Sequence, residues 1–195
     1  DISYNSSGWD VAHSLEELNI GSQKQICLLD NMLADSSLTP SLADLTIHAL
    51  DSLDNEEGFF LMVEGSSIDT ASHANQAGTM LKELMEFDEA VSVAANWAEP
   101  REDTLIVVTA DHETGALVLN KEGVTKNNLI DKIDFLSYNH SRTRVRVDVY
   151  GDISEFLNTF EEELNSQGKL DEGLSSEKNN YWQNTDVFKL CASYL

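Results

Sequence analysis

The spacing of apolar residues predicts two main helices. After the Thr-Pro-Ser sequence at 39–41, apolar positions three and four apart form the wide stripe of a helix packed on a core. A longer stripe over residues 74–98 predicts the second helix. The residues expected to face inward are Leu42, Leu45, Ile47, Ala49, Leu50 and Leu53, then Met80, Leu84, Phe87, Ala90, Val91, Ala94 and Ala95. Shorter helices are expected at the capping-box pair Ser14 and Glu17, over residues 152–164 and over residues 183–193.

Short apolar runs between the helices predict strands. Residues 59–63 (FFLMV) and 104–109 (TLIVVT) are nearly unbroken apolar runs, which are typical of strands covered on both faces. Residues 145–149 alternate valine with charged side chains, the period-two pattern of a strand. Weaker strand patterns occur at 116–119 and 133–136. Helices between buried strands predict the α/β class, a sheet with parallel pairs that is flanked by helices.

Length and charge exclude several functional classes. The 195 residues correspond to one domain or a large piece of one. No apolar run approaches the roughly 18 residues of a membrane span, so we expect no transmembrane segment. Asp and Glu total 35 against 12 Lys and Arg, a net charge of −23. This surface argues against nucleic-acid binding, and it repels small anions unless a local cation inverts the field.

The two cysteines do not define a disulfide framework or a paired metal motif. Cys27 and Cys191 stand at opposite ends of the chain, without a CxxC spacing. This pattern favours two free thiols, with a single bridge as the alternative.

Ionisable residues follow two of the predicted buried strands. Glu64 comes directly after residues 59–63, and Asp111 comes directly after residues 104–109 and Ala110. The carboxyl ends of strands are where open α/β sheets place their ligand sites. Three histidines, two aspartates and a glutamate in such positions suit divalent metals. The candidate ligands are Glu64, Asp69, His73, Asp111, His112 and His140, whereas His13 and His48 are interpreted as ordinary structural histidines.

Three segments resemble motifs of the alkaline phosphatase family. Residues 64–73, EGSSIDTASH, are similar to that family's E-G-x-x-I-D-x-x-x-H signature, and residues 109–115 match its T-A-D-H-E-T-G motif. His140, followed by a strand ending in Tyr150-Gly151, resembles the third metal motif. The motifs occur in the family's order. The resemblance covers about residues 26–195, including the segments 40–45, 58–63 and 184–188.

The resemblance implies a metal-dependent phosphate monoester hydrolase with two zinc ions and one magnesium ion. The paired zincs of such sites lie about 3.5–4 Å apart and clamp the attacking and leaving oxygens, and a serine forms a phosphoserine intermediate. The positive ions would also let an acidic protein bind a phosphate ester. The ligand sets implied for this chain are Asp69, His73 and His140 for the first zinc, Asp111 and His112 for the second zinc, and Glu64 for magnesium.

The resemblance covers only the C-terminal half of that family's domain. We therefore expect residues 1–195 to be the C-terminal part of a single domain, with no catalytic nucleophile of its own. The Asp35-Ser36-Ser37 sequence only superficially imitates the nucleophile motif, since it lies in a loop before a helix. Arg142, Arg144 and Arg146 are interpreted as the solvent face of an alternating strand rather than as phosphate ligands.

Three functional readings follow from this partial resemblance. The first is an alkaline phosphatase whose nucleophile-bearing N-terminal half is missing, so that the isolated chain is inactive. The alternative is a non-catalytic metal-binding or interaction module derived from that fold. A sulfatase or phosphodiesterase ranks lowest, because the E-G-x-x-I-D run is not typical of those relatives. We further expect a homodimer that covers an exposed sheet edge, and a periplasmic or secreted location.

Overall fold

The computed structural model describes residues 8–18, 24–29 and 40–154. Within them, three α-helices are α1 (Leu42–Leu53), α2 (Ser67–His73) and α3 (Ala77–Ala98). Two short 3₁₀ helices span Leu15–Glu17 and Ile130–Lys132. The strands are β1 (Asp10–Ala12), β2 (Gln25–Cys27), β3 (Ile106–Thr109), β4 (Glu113–Thr114), β5 (Leu117–Leu119), β6 (Ile133–Phe135), β7 (His140–Ser141) and β8 (Val147–Tyr150). None of the helices in these ranges is long and apolar enough to cross a membrane.

Helix α1 confirms the helix predicted after residues 39–41, and a capping box sets its start. The Ser41 hydroxyl accepts a hydrogen bond from the Asp44 backbone N–H (3.0 Å), and the Asp44 carboxylate accepts one from the Ser41 backbone N–H (2.9 Å). The two bonds satisfy backbone donors that the first helical turn leaves open. Leu50 is buried as predicted, but the inward positions of Ile47 and Leu53 were wrong, since their side chains are 36% and 37% exposed. Helix α1 packs along α3, where Glu86 accepts a hydrogen bond from the Leu42 backbone N–H (3.2 Å).

Replacing Ser41 with alanine is expected to lower the free energy of unfolding by about 1 kcal/mol, because it removes the cap. Hydrogen bonds from Ser41, first from its hydroxyl and then from its backbone N–H, hold the pKa of Asp44 below its ordinary value. The contribution of Asp44 is therefore fully present above the ordinary carboxyl range and is lost as the pH falls through its lowered pKa. Urea unfolding at neutral and acid pH checks this. An equal loss at both pH values would contradict the role of Asp44.

The helix predicted over residues 74–98 begins at Ala77, after a break that separates it from α2. Asn75 has a positive φ of 55°, which ends α2 and turns the chain. Met80 and Ala90 are buried as predicted. The inward position of Leu84 was wrong, since its side chain is 43% exposed, while the neighbouring Glu83 is buried. The buried stripe runs along one side of the helix, and Leu84 lies about 100° further round than Glu83.

The strands pair in four two-stranded ladders in the described residues. β1 pairs with β2 in parallel, whereas β3–β8, β4–β7 and β5–β6 are antiparallel. The predicted strands near 104–109, 116–119, 133–136 and 145–149 are thereby confirmed as β3, β5, β6 and β8. Among the described strands, only β1 and β2 pair in parallel, and the sequence patterns did not indicate either of them.

The strand predicted over residues 59–63 is wrong for the described part of the chain. No strand is assigned there, and the side chains of Phe60 and Met62 are 59% and 75% exposed. Phe59 does pack, edge-on against Trp97 of α3, with ring centroids 5.8 Å apart. A strand requires a neighbouring backbone for its hydrogen bonds, and no described segment pairs with these residues.

The alternation predicted near residue 147 is confirmed, because Val147 and Val149 are half-buried while Asp148 and Tyr150 are exposed. The three arginines at 142, 144 and 146 are exposed, as expected of a solvent face. Arg146 forms an ion pair with Asp148, with Nη2 2.6 Å from Oδ1.

The remaining sequence predictions fall at the chain ends. At the short 3₁₀ helix, Ser14 makes no side-chain cap. Instead, Glu17 accepts a hydrogen bond from the backbone N–H of His13 (2.8 Å), the residue before Ser14, so the expected capping box does not form. Cys27 carries no disulfide within the described residues. Residues 35–37, Cys191, the helix 183–193 and nearly all of 152–164 lie outside the described residues.

Candidate metal centre

Asp69, His73 and His140 lie within reach of a single ion. Asp69 and His73 are four residues apart on α2, so the helical repeat puts both side chains on one side. His140 begins β7, whose antiparallel register sets it opposite Thr114. One potential ligand atom from each of the three residues lies within 4.8 Å of the others. All three side chains are partly exposed, so this cluster is open to solvent.

A backbone carbonyl fixes which nitrogen of His73 is available. Nδ1 of His73 lies 2.5 Å from the carbonyl oxygen of Tyr138. Since a carbonyl oxygen only accepts hydrogen bonds, Nδ1 carries the proton. The neutral ring therefore presents the Nε2 lone pair, 3.0 Å from Nε2 of His140 and 3.5 Å from Oδ2 of Asp69. A cation among these atoms would stabilise them, and two imidazoles with a carboxylate form a zinc-type donor set.

Asp111 and His112 form a second pair beside this cluster. Nε2 of His112 lies 3.2 Å from Oδ2 of Asp111. The His112 ring stacks on the His140 ring, with centroids 3.5 Å apart and an interplanar angle of 22°. The structure thus brings the pair into contact with the cluster. In the described residues, however, Asp69, His73 and His140 are the only set of three or more side chains grouped closely enough to hold an ion.

Thr114 connects the two groups, a role that the sequence motifs did not indicate. Its buried hydroxyl donates a hydrogen bond to Oδ1 of Asp69 (2.6 Å) and lies 3.1 Å from Nδ1 of His112. Its position two residues after His112 in the motif at 109–115 was the available signal. The pairing with Asp69 crosses 45 positions of sequence, so no local pattern could reveal it.

Glu113, which was not among the predicted site residues, stabilises the β4–β7 ladder. Its carboxylate accepts hydrogen bonds from the Ser141 hydroxyl and from the Leu117 backbone N–H (2.9 Å). Burial by itself would raise the pKa of Glu113, but these hydrogen bonds, that of the Ala116 backbone and the nearby His112 together hold it below its ordinary value. The carboxylate thus anchors the strand that carries His140.

Gly115 lies where α2, β6 and the segment before His140 meet. Its φ is +89°, and a Cβ atom there would lie 2.5 Å from Cδ1 of Phe135 and 3.2 Å from the carbonyl oxygen of Ser72. Its N–H donates to the Asn139 carbonyl, and its own carbonyl accepts from the N–H groups of Leu136 and Ser137, each at 3.0 Å. Only glycine fits this conformation and this space.

Asn75 ties the end of α2 to the same segment. With its amide nitrogen facing them, the side chain donates to the carbonyl oxygens of Ser137 (2.8 Å) and Ser72 (3.0 Å). Asn75 and Gly115 therefore hold the segment 135–139 against α2, which sets the position of His140 relative to His73.

The structure does not bring Glu64 to the cluster. Glu64 is exposed and is absent from the group of possible ligands in the described residues. Its magnesium role stays a prediction. His13 and His48 also lie outside the group, and their interpretation as structural histidines stays a prediction.

The fold and the site define an α/β chain with a candidate metal centre of two histidines and an aspartate. The alkaline phosphatase family model matches residues 25–187. The chain therefore belongs to the alkaline phosphatase family, which confirms the resemblance found in its motifs.

Relatives in sequence and structure agree with this membership. The chain is 43% identical to alkaline phosphatase 4 of Bacillus subtilis over 96 residues, which is 49% of this chain and 21% of the relative. It is 34% identical to the Escherichia coli alkaline phosphatase over 127 residues, 57% of this chain and 27% of that one. The matches thus span about a quarter of the length of these relatives.

Solved structures confirm the α/β, alkaline-phosphatase-like fold in partial form. The alkaline phosphatase of the Antarctic bacterium TAB5 aligns with a TM-score of 0.64 and 27% identity, over 86% of this chain and 54% of that one. The cold-active alkaline phosphatase of a psychrophilic Shewanella aligns with a TM-score of 0.66 and 21% identity, over 87% and 62%. A TAB5 variant is described with Mg bound in its M3 site.

Proposed function

We propose that the protein is the C-terminal part of an alkaline phosphatase domain and that it supplies zinc ligands for phosphate monoester hydrolysis. The observation that carries this proposal is the convergence of Asp69, His73 and His140 in a member of the alkaline phosphatase family. Their two nitrogen donors and one oxygen donor fit a zinc site that keeps an open position. The partial exposure of the cluster leaves room for a substrate oxygen.

The other ligands are proposed by extension. Asp111 and His112, in contact with the cluster through the His112–His140 stack, would hold the second zinc, and Glu64 would hold magnesium. When bound, such ions supply Lewis-acid stabilisation of phosphate charge and lower the pKa of an oxygen nucleophile. The carboxylates and imidazoles of these residues would position the ions. The Tyr138 carbonyl holds the ring of His73 in place, and Thr114 holds the ring of His112.

The remaining parts of the site are proposed to come from outside these residues. They comprise the serine nucleophile and the further ligands of an N-terminal half, so we propose that the isolated chain is inactive. We also propose a homodimer, which the exposed apolar side chains of Phe60 and Met62 support. A periplasmic or secreted location completes the proposal.

Zinc binding tests the ligand assignment. We expect the wild-type chain to bind zinc in an isothermal titration, and Asp69→Asn to lose most of that affinity because it removes the carboxylate of the cluster. Asp51→Asn is the matched control, since Asp51 is exposed on α1 and its replacement makes the same change in net charge. Equal zinc binding by both variants would show non-specific binding to an acidic surface and would refute the assignment.

A phosphatase assay tests the proposed division of the site. The zinc-loaded chain is expected to show no hydrolysis of p-nitrophenyl phosphate above buffer containing zinc. Turnover that disappears in Asp69→Asn would confirm phosphatase chemistry, but it would refute the proposal that the nucleophile lies outside the chain.

A further inference from the structure

We propose that Thr114 is a positioning residue that fixes the tautomer of His112 and links His112 to Asp69. The expected consequence for zinc binding rests on the proposed function. Thr114 is buried, 9% exposed, between the two ligand groups. Its hydroxyl contacts one residue from each group, Asp69 at 2.6 Å and His112 at 3.1 Å.

The direction of the first hydrogen bond follows from chemistry. A threonine hydroxyl has one proton, and an ionised carboxylate can only accept. At 2.6 Å, the contact with Oδ1 of Asp69 has the length of a charge-assisted O–H···O⁻ bond. The single proton of Thr114 is therefore committed to Asp69.

The second hydrogen bond must then run the other way. With its proton committed, the Thr114 oxygen can only accept from Nδ1 of His112, so Nδ1 carries a proton. The neutral ring consequently presents an Nε2 lone pair on the side of Asp111, whose Oδ2 lies 3.2 Å away. This is the tautomer in which Nε2 can bind a metal ion, and it matches the one that Tyr138 enforces at His73.

Two substitutions, Thr114→Val and Thr114→Ser, distinguish the hydrogen-bonding role of Thr114 from simple packing. Thr114→Val keeps the shape and the branching of the buried side chain but removes both hydrogen bonds. Without the acceptor, His112 gains more from protonation at Nε2, where Asp111 accepts. Thr114→Ser keeps the hydroxyl and should retain the wild-type tautomer. Thr46→Val is the matched control, because Thr46 is a buried threonine in α1, away from the site, whose hydroxyl donates to the Leu42 carbonyl (2.7 Å).

Nitrogen–proton correlation NMR of the metal-free chain, at alkaline pH where imidazole is neutral, reports the tautomer directly. We expect the Nδ1–H form of His112 in the wild type, Thr114→Ser and Thr46→Val, and a shift towards the Nε2–H form in Thr114→Val. An Nε2–H form in the wild type, or an unchanged tautomer in Thr114→Val, would overturn the inference. Because no metal is present, this result is independent of whether the proposed function holds.

Zinc titration then tests the consequence. Loss of an outer hydrogen-bond partner typically weakens metal binding 10–100-fold, and we expect roughly that loss in Thr114→Val. The zinc affinities of Thr114→Ser and Thr46→Val should stay within about threefold of the wild-type affinity, well short of the roughly 10–100-fold loss expected in Thr114→Val. Equal affinity in Thr114→Val and the wild type would overturn the positioning role. If wild-type zinc binding itself were absent, the proposed function would fail, whereas the NMR result would still decide the tautomer.

Discussion

Replacing His140 with alanine is expected to lower the zinc affinity of the chain by roughly 1,000-fold, about 4 kcal/mol. This exceeds the roughly 10–100-fold loss for an outer-shell contact, because a direct ligand is removed. The Nε2 atom of His140 lies 3.0 Å from Nε2 of His73 and 3.6 Å from Oδ1 of Asp69. Among the described residues, no other side chain joins His73 and Asp69 closely enough to replace it as a ligand. Isothermal titration with zinc, with a competing chelator for the wild type, measures the change.

The same substitution should disturb the second pair, because the His140 ring stacks on His112. His13→Ala is the control, since it removes another exposed histidine that lies outside the cluster. Circular dichroism should show intact helices in both variants. Zinc affinity within a few-fold of the wild type in His140→Ala, with the fold intact, would remove His140 from the ligand set.

Replacing Gly115 with alanine is expected to lower the free energy of unfolding by about 3 kcal/mol. Left-handed backbone costs a residue with a Cβ roughly 1–2 kcal/mol, and overpacking adds about 1–3 kcal/mol. The new methyl would meet Phe135 at 2.5 Å and the Ser72 carbonyl at 3.2 Å. Relief of that clash requires α2 and β6 to move apart, so zinc affinity should fall as well. Urea unfolding and zinc titration of the same samples measure both effects.

Gly123→Ala isolates the contribution of the clash. Gly123 also has a positive φ, +64°, but a Cβ atom there would meet nothing within 4 Å. We expect it to cost about 1 kcal/mol and to leave zinc binding unchanged. If the two variants were equally destabilised, backbone strain alone would account for the effect at Gly115.

Local sequence patterns predicted the elements that carry their signal in consecutive residues, such as a wide apolar stripe, a capping box or an alternation of apolar and charged side chains. Helix α1 carries both its apolar stripe and its capping box in consecutive residues, and the alternation at β8 needs no distant information. The strand predicted over residues 59–63 is absent and Phe60 and Met62 are exposed, since an apolar run by itself shows neither a backbone partner nor a covering layer. The parallel β1–β2 pair was missed because each strand has only three residues, too few for a periodic signal.

At Leu84, hydrophobicity did not predict which of two adjacent helix positions is buried. Leu84 and Glu83 are adjacent in sequence, and hydrophobicity assigns the interior to leucine. The packing of α3 against its neighbours instead buries Glu83 and leaves Leu84 exposed. Which of two neighbouring positions faces a partner depends on how the helices cross, and that is set by the whole interface.

The sequence by itself determined the family and the identity of the candidate ligands. Its motifs place Asp69 and His73 one helical turn apart, a spacing that fixes their common direction through the geometry of a single helix. Only the tertiary structure decided how His140 joins them. That contact spans 67 residues and depends on the β4–β7 register and on the segment anchored by Gly115 and Asn75. The proton positions at His73 and the link through Thr114 were also tertiary, because their partners come from segments distant in sequence.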